Sequence, residues 1–261
     1  MLQQVVKIAQ KAGEIILKYY NNLSGVCVQY KEDHSPLTKA DLESNRYITE
    51  ALKKNFGFPV ISEESVPEYT IRKNFQTFWL VDPLDGTKDF LAKTGQFTVN
   101  IALIKSGVPT LGVIYVPGMD LMYCAQKGSG AFLNSKPIFN RSTHRQLIAT
   151  DSVFHSSFET QEFLKTNGIT QILKFGSALK FGKLAEGIVD IYPRFEGSKE
   201  WDIAAGHVIL KEAGCSIIDL DTKQEPSYNK PSMENNFFIA GRNDVLDRYP
   251  HDPWYFSLYG R

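Results

Sequence analysis

Two aspartates three residues apart, Asp82 and Asp85, close an apolar run in FWLVDPLDGTKDF, residues 78–90. Pro83 stands between them, and Gly86 and Thr87 follow. Two more acidic elements sit at the ends of apolar segments: Glu63-Glu64 in ISEES and Asp202 in EWDIAAG. These acids follow strands or open a helix, where side chains converge on a sheet edge. Two carboxylates about 4 Å apart repel by roughly 4 kcal/mol at an effective dielectric near 20. Several such pairs would rival the whole stability of a domain, about 5–15 kcal/mol. Something must neutralise them. Buried lysines are one option and hard cations the better one. All-oxygen donors suit Mg²⁺, Mn²⁺ or Ca²⁺ rather than zinc.

The residues around the aspartates favour a catalytic metal. Pro83 stiffens the turn, offers no amide hydrogen and can aim the Leu84 carbonyl at a cation. Gly86 lets backbone approach closely, and the amides of Gly86 and Thr87 can face an anion. Thr87 adds a hydroxyl. The turn then holds metals on its carboxylates and a phosphate on its amides. Other readings remain open. The aspartates can simply cap a turn. A calcium loop of EF-hand type would put its third and fifth ligands on Leu84 and Gly86, which have no side-chain oxygen. Phosphatases that use an aspartyl-phosphate want their acids two apart, not three.

The elements that would position these residues can be read from apolar spacing. Leu2, Val5, Val6, Ala9, Ala12, Ile16 and Tyr19 recur at helical intervals. A second helix begins at TKADLESNRYITEALKKNF, with Thr38 and Asp41 as an N-cap and an acid three later. FPVISEES and FWLV read as strands, the latter ending at Asp82. FTVNIALI, TLGVIYV, LMYCAQ and GAFLN, separated by glycine turns, read as an antiparallel meander. Beyond about Asn140, QLIAT, QILKF, VDIYP and CSIIDL alternate with helical stretches near SFETQEFLKT, SALKFGKLAEG and WDIAAGHVILKEAG. That alternation suggests an α/β half. The best boundary is Asn134–Arg145, giving domains 1–140 and 141–261 that pack tightly.

Composition narrows the classes. The 261 residues are 43% hydrophobic and 22% charged with a formal net charge of +0, which suits a globular chain and no nucleic-acid polymer as partner. Cys27, Cys124 and Cys215 fit no zinc spacing and no disulfide framework, so a reducing cytoplasm is expected. No run has signal-peptide or membrane-spanning character.

SEES, DPLDGTKDF and EWDIAAG in that order, with TKAD upstream, resemble the lithium-sensitive, magnesium-dependent phosphatase superfamily of inositol monophosphatase. The motifs span residues 38–206. DGTKDF, FTVNIALI and GSALKFGKLAEGIVDIYPRFEGSKEWDIAAG look most like its bisphosphate nucleotidase branch, which hydrolyses adenosine 3′,5′-bisphosphate to AMP in sulfate assimilation. The resemblance implies a mixed α and β fold, an αβαβα layered sandwich. It implies one Mg²⁺ on Glu63, Asp82 and the Leu84 carbonyl, a second on Asp82, Asp85 and Asp202, and a third near Glu63 through water, with Mn²⁺ as an alternative. Most of these ligands fall in the first domain, and Asp202 and the substrate contacts in the second. Thr87 and Asp41 match the pair that orients or deprotonates the attacking water, although Asp41 read alone is a helix capping acid. Glu64 matches a support for the ligands. Gly86, Thr87, Ser177, Lys180, Arg194 and Asp202 match substrate-contacting positions; read alone, Ser177 is a helix N-cap and Lys180 a solvated charge. His155 joins this set with a departure: the nucleotidases often carry Ser-Arg-Ser-His where this chain has Ser152-Val153-Phe154-His155. The substrate expected is a small nucleotide bisphosphate, with an inositol or sugar monophosphate as the alternative and a silent nucleotide- or metal-binding protein as the alternative from another class. The expected assembly is a monomer or homodimer.

Overall fold

The computed structural model describes residues 1–22, 28–30 and 36–248. Cys27 lies outside the described residues. From the N-terminus come α1 (Leu2–Tyr20), β1 (Val28–Tyr30), β2 (Pro36–Thr38), α2 (Lys39–Phe56), β3 (Val60–Ser62), α3 (Tyr69–Arg72), β4 (Thr77–Asp85) and α4 (Thr87–Leu91). Then follow β5 (Thr98–Lys105), β6 (Val108–Val116), β7 (Leu121–Gln126), β8 (Ala131–Leu133) and β9 (Lys136–Ile138). The rest is β10 (Ile148–Ser152), α5 (Phe158–Thr166), β11 (Gln171–Phe175), α6 (Leu179–Ala185), β12 (Ile191–Arg194), α7 (Glu200–Glu212), β13 (Cys215–Asp219), β14 (Phe238–Arg242) and α8 (Asn243–Leu246).

Strands β3 to β9 form a seven-stranded sheet in chain order, antiparallel except for the β3–β4 pair. A meander needs only short turns, which is why glycine pairs at Ser106-Gly107 and Lys127-Gly128 marked it so clearly in the sequence. The second sheet has the order β11-β10-β12-β14-β13. Strand β14 was not expected from the sequence, yet it lies inside the sheet, antiparallel to both β12 and β13. Its run FIAGR is short and contains glycine, so nothing local distinguished it.

The layers follow from period-two side-chain alternation. Trp79, Val81, Val99, Ile101 and Leu103 face α1 and α2, whose Val5, Ile8, Ala12, Ile16, Ile48 and Leu52 are all buried against them. Phe78, Leu80, Ala102 and Ile104 face the other way, onto Leu179, Phe181 and Leu184 of α6 and Ile203, Ala204, Ala205 and Val208 of α7. Those helices in turn cover Tyr192, Ile217, Phe238 and Ala240 of the second sheet. Its far face packs on Phe163 and Leu164 of α5 and Val245 and Leu246 of α8. The result is αβαβα, and each large side chain buried in these seams contributes about 1.5–3 kcal/mol. Helix α7 approaches β6 so closely that a Cβ on Gly112 would lie 2.5 Å from the Ala205 carbonyl oxygen. The middle core draws residues from both sides of Asn140, whose amide donates to the Ala213 carbonyl (2.9 Å) and whose side chain donates to that of Leu184 (2.6 Å).

Candidate active site

In an unbroken strand, residues three apart point to opposite faces. Strand β4 is not unbroken: Asp82 pairs with Asn100 and Asp85 with Thr98, so three steps on β4 oppose two on β5. The extra residue is a bulge, and it turns Asp85 back to the face that carries Asp82. Pro83 sits inside it, where no ladder hydrogen bond is required. The strand therefore continues through Pro83 to Asp85, correcting the expectation of a strand that stops at Asp82 and enters a turn. Ser44 Oγ, from α2, donates to the Pro83 carbonyl at 2.9 Å and fixes the bulge.

That face is the one α7 covers, and Asp202 stands in the first turn of α7. Each of the three aspartates is held by one backbone amide. Leu84 N–H donates to Asp82 Oδ1 (3.0 Å), Ala178 N–H to Asp85 Oδ2 (2.7 Å), and Lys199 N–H to Asp202 Oδ2 (2.8 Å). The second oxygen of each accepts no hydrogen bond among the described residues. Glu63 follows β3, its amide donating to the Val81 carbonyl at 3.1 Å. Glu64 is half-buried in the turn that comes next.

The acids feel one another. Burial raises Asp82 well above its ordinary range, and Glu63, Asp85 and Asp202 push the same way against the Leu84 amide. Asp202 is pushed from 3.8 to about 8 by burial, then Asp85 and Glu63, against the Lys199 amide and Arg194. Among the described residues no three of these acids already close on a point where one ion would sit. The donor set nonetheless fits a hard cation: oxygen ligands only, one outward oxygen on each aspartate, and uncompensated charge between them. Asn100 Oδ1, buried beside Asp85 with no partner, adds a further neutral oxygen.

Asp41 serves two neighbours. Thr38 N–H and Oγ1 donate to its Oδ2 at 2.8 and 2.6 Å, forming the expected capping box of α2. Its Oδ1 accepts from Thr87 Oγ1 at 3.5 Å, across 46 residues of chain. Burial, opposed by Thr38 and reinforced by Glu63, pushes Asp41 up to about 6. Gly86, between Asp85 and α4, has φ +86°, and a Cβ there would sit 3.0 Å from Ser177 Cβ. Only glycine adopts this backbone and tolerates this neighbour without cost.

A cleft of about 350 Å³ runs from Asp85, Thr87 and Asp202 to His155, Ser177, Lys180 and Arg194. Two expectations change here. Ser177 is not the N-cap of α6, which is Ala178; Ser177 has φ +43° and donates its hydroxyl to the Gln96 carbonyl at 2.6 Å. Lys180 is not a solvated charge. It is 3% exposed, donates to the carbonyls of Ser177 (2.7 Å) and Phe175 (3.2 Å), and is lowered to about 8 by burial and then Arg194. Arg194 donates to the carbonyls of Gly197 (3.2 Å) and His155 (3.5 Å). The sequence reading missed Lys88, Asp89, Tyr192, Glu196 and Ser198, which also line the cleft. Lys88 and Asp89 lie inside DGTKDF and were findable; Glu196 carried no local signal.

The family model for the inositol monophosphatase family matches residues 1–249. The chain is 40% identical over 247 residues to the 3′(2′),5′-bisphosphate nucleotidase CysQ of Escherichia coli strain K12, covering 91% of this chain and 100% of that protein. The crystal structure of CysQ from Bacteroides thetaiotaomicron superposes with a TM-score of 0.84 at 35% identity, over 92% of this chain and 96% of that one. An IMPase of Thermotoga maritima gives 0.80 at 26% identity, over 95% and 94%.

Proposed function

The chain belongs to the inositol monophosphatase family, and from that premise we propose that it hydrolyses the 3′-phosphate of adenosine 3′,5′-bisphosphate to give AMP and phosphate. The observation that carries this reading is the union in one cleft of Asp85 and Asp202, the exposed edge of the carboxylate cluster, with a second, cationic end formed by Lys88, Lys180 and Arg194. The first suits the phosphate that reacts, and the second suits a phosphate that does not. Relatives that are 40% identical across the whole of their length carry the nucleotidase name.

Members of the family are magnesium-dependent phosphatases. We assign Glu63, Asp82, the Leu84 carbonyl, Asp85 and Asp202 to two or three Mg²⁺ ions, with Mn²⁺ able to substitute, and Glu64 to their support. When bound, the ions supply positive charge for the phosphoryl oxygens and make the attacking water more acidic. The chain's own residues do the rest. Thr87 Oγ1 holds the water in line with the phosphorus, and Asp41, about 6, takes the proton that Thr87 relays. Gly86 lets the backbone at the start of α4 approach the phosphate. Lys180 offers the N–H its two carbonyls leave over, and Arg194 offers a planar face to the base. His155 and Ser177 complete the wall.

No helix among the described residues is long and apolar enough to cross a membrane. We assign the protein to the cytoplasm, in sulfur assimilation, as a monomer or homodimer. Phosphate release with Mg²⁺ on adenosine 3′,5′-bisphosphate, 5′-AMP, inositol 1-phosphate and fructose 1,6-bisphosphate tests the reading. The bisphosphate nucleotide should have the highest kcat/KM; a preference for inositol 1-phosphate would overturn the substrate assignment and keep the phosphatase.

A further inference from the structure

The cationic end of the cleft contains one carboxylate, Glu196, to which neither the capping of an element nor the acid cluster gives a role. Its two oxygens face two different groups, the His155 imidazole and the Arg194 guanidinium. Oε1 stands 3.5 Å from His155 Nδ1 and Oε2 stands 3.5 Å from Arg194 Nη1. Both distances exceed a good N–H···O hydrogen bond, about 2.7–3.2 Å, so the carboxylate is attracted without being locked. Oε2 is buried with no hydrogen-bond partner, and so is Arg194 Nε. The guanidinium spends its Nη groups on the carbonyls of His155 and Gly197. An anion in this corner therefore finds donors still open, beside Lys88 and Lys180, which act on the same imidazole. Glu196 rides on the short segment between β12 and α7, next to the exposed Gly197, and its side chain is 35% exposed.

We propose that Glu196 is a specificity-determining residue: its carboxylate occupies the corner between Arg194 and His155 where the substrate's second, non-reacting phosphate binds, and so limits the preference for doubly phosphorylated over singly phosphorylated nucleotides. This rests on the nucleotidase reading. A phosphate entering the corner competes with the carboxylate for the Arg194 guanidinium and the His155 ring nitrogen, and is repelled by the carboxylate's charge. A nucleotide without that phosphate meets neither effect. Glu196 thus acts on KM for the bisphosphate, and it aids departure of the 5′-phosphate that AMP retains, while the acids and Thr87 that act on the reacting phosphate lie at the other end of the cleft.

The test compares adenosine 3′,5′-bisphosphate with adenosine 3′-phosphate, which share the reacting group and leaving group. Removing one like charge at contact range in a partly screened cleft is worth about tenfold. In Glu196→Gln the ratio of kcat/KM for the bisphosphate to that for the 3′-monophosphate should rise about tenfold, through KM, and inhibition by AMP should tighten. Glu196→Asp, which keeps the charge, should leave the ratio near wild type and guards against a mere packing effect. Equal changes on both substrates, or a fall in the ratio, would overturn the proposal while the wild-type preference stands. If the wild-type enzyme itself shows no turnover of the bisphosphate, the nucleotidase reading fails, and this proposal with it.

Discussion

Asp202→Asn separates what the acid cluster does to stability from what it does to catalysis. Asparagine keeps the shape, and its amide oxygen can still accept from Lys199 N–H, so the start of α7 is preserved. Only the charge is lost. The native carboxyl is pushed from 3.8 to about 8. A shift of that size is at most about 6 kcal/mol, since each tenfold change in acidity is about 1.4 kcal/mol. Asp202 lies at the cleft wall within reach of solvent, so we take about 2–3 kcal/mol after screening. The sign follows from proton binding. A carboxyl raised in the folded state binds its proton more tightly there than in the unfolded chain. Its contribution is fully present below about pH 4 and is lost as pH rises toward 8. With chelator present, wild type and variant should therefore melt together at pH 4. At pH 8 the variant should melt higher by about 5–10 °C, from roughly 2–4 °C per kcal/mol for a chain of this size. Mg²⁺ should raise the wild-type melting temperature at pH 8 and raise that of the variant much less. Phosphate release by the variant with Mg²⁺ should fall at least about a hundredfold, as for loss of one electrostatic contact made in the transition state. Calorimetry across pH with and without Mg²⁺ reads the first effect, and phosphate release reads the second. A variant that melts no higher at pH 8 without metal, yet loses activity, would refute the electrostatic account of the cluster. One that keeps activity within tenfold would remove Asp202 from it.

Two further outcomes can be checked. Asp41 must be ionised to accept a proton, so kcat/KM should fall as pH drops through about 6; Asp41→Asn should lose about 10²–10⁴ in rate, and any residual activity should lack that acid limb, which a pH profile reads directly. Gly112→Ala should cost about 1–3 kcal/mol in urea unfolding, because its Cβ would meet the Ala205 carbonyl and Val208 Cγ1 at 2.5 Å, and a neutral result would mean that α7 and β6 are less tightly apposed than described.

The local part of this design is written in the chain. Thr38 and Asp41 form the cap that their spacing demands, because a capping box involves only residues three apart and the amides between them. The meander strands lie where alternating apolar residues and glycine turns put them, since adjacent antiparallel strands need no distant partner to set their order. Residue type was equally informative at the site: oxygen donors at the ends of apolar segments pointed to a hard cation and a phosphate before any geometry was known. Strand β14 shows the limit, because FIAGR is a strand only through the neighbours it pairs with on both sides. The acid cluster shows it more sharply. Spacing alone places Asp82 and Asp85 on opposite faces, and one extra residue against β5 brings them to the same face, which depends on the register of two strands. Lys180 reads as a surface charge until α6 is packed between two sheets; the carbonyls its ammonium meets, Ser177 and Phe175, are close in sequence, and it is the burial that comes from distant chain. Glu196 lies beside Arg194 in the chain, but its second neighbour, His155, is 41 positions away in sequence and 3.5 Å away in space. Capping, alternation and donor chemistry are short-range and survive in any sequence window. Register, burial and charge convergence are properties of the closed packing, where each residue's surroundings come from distant chain.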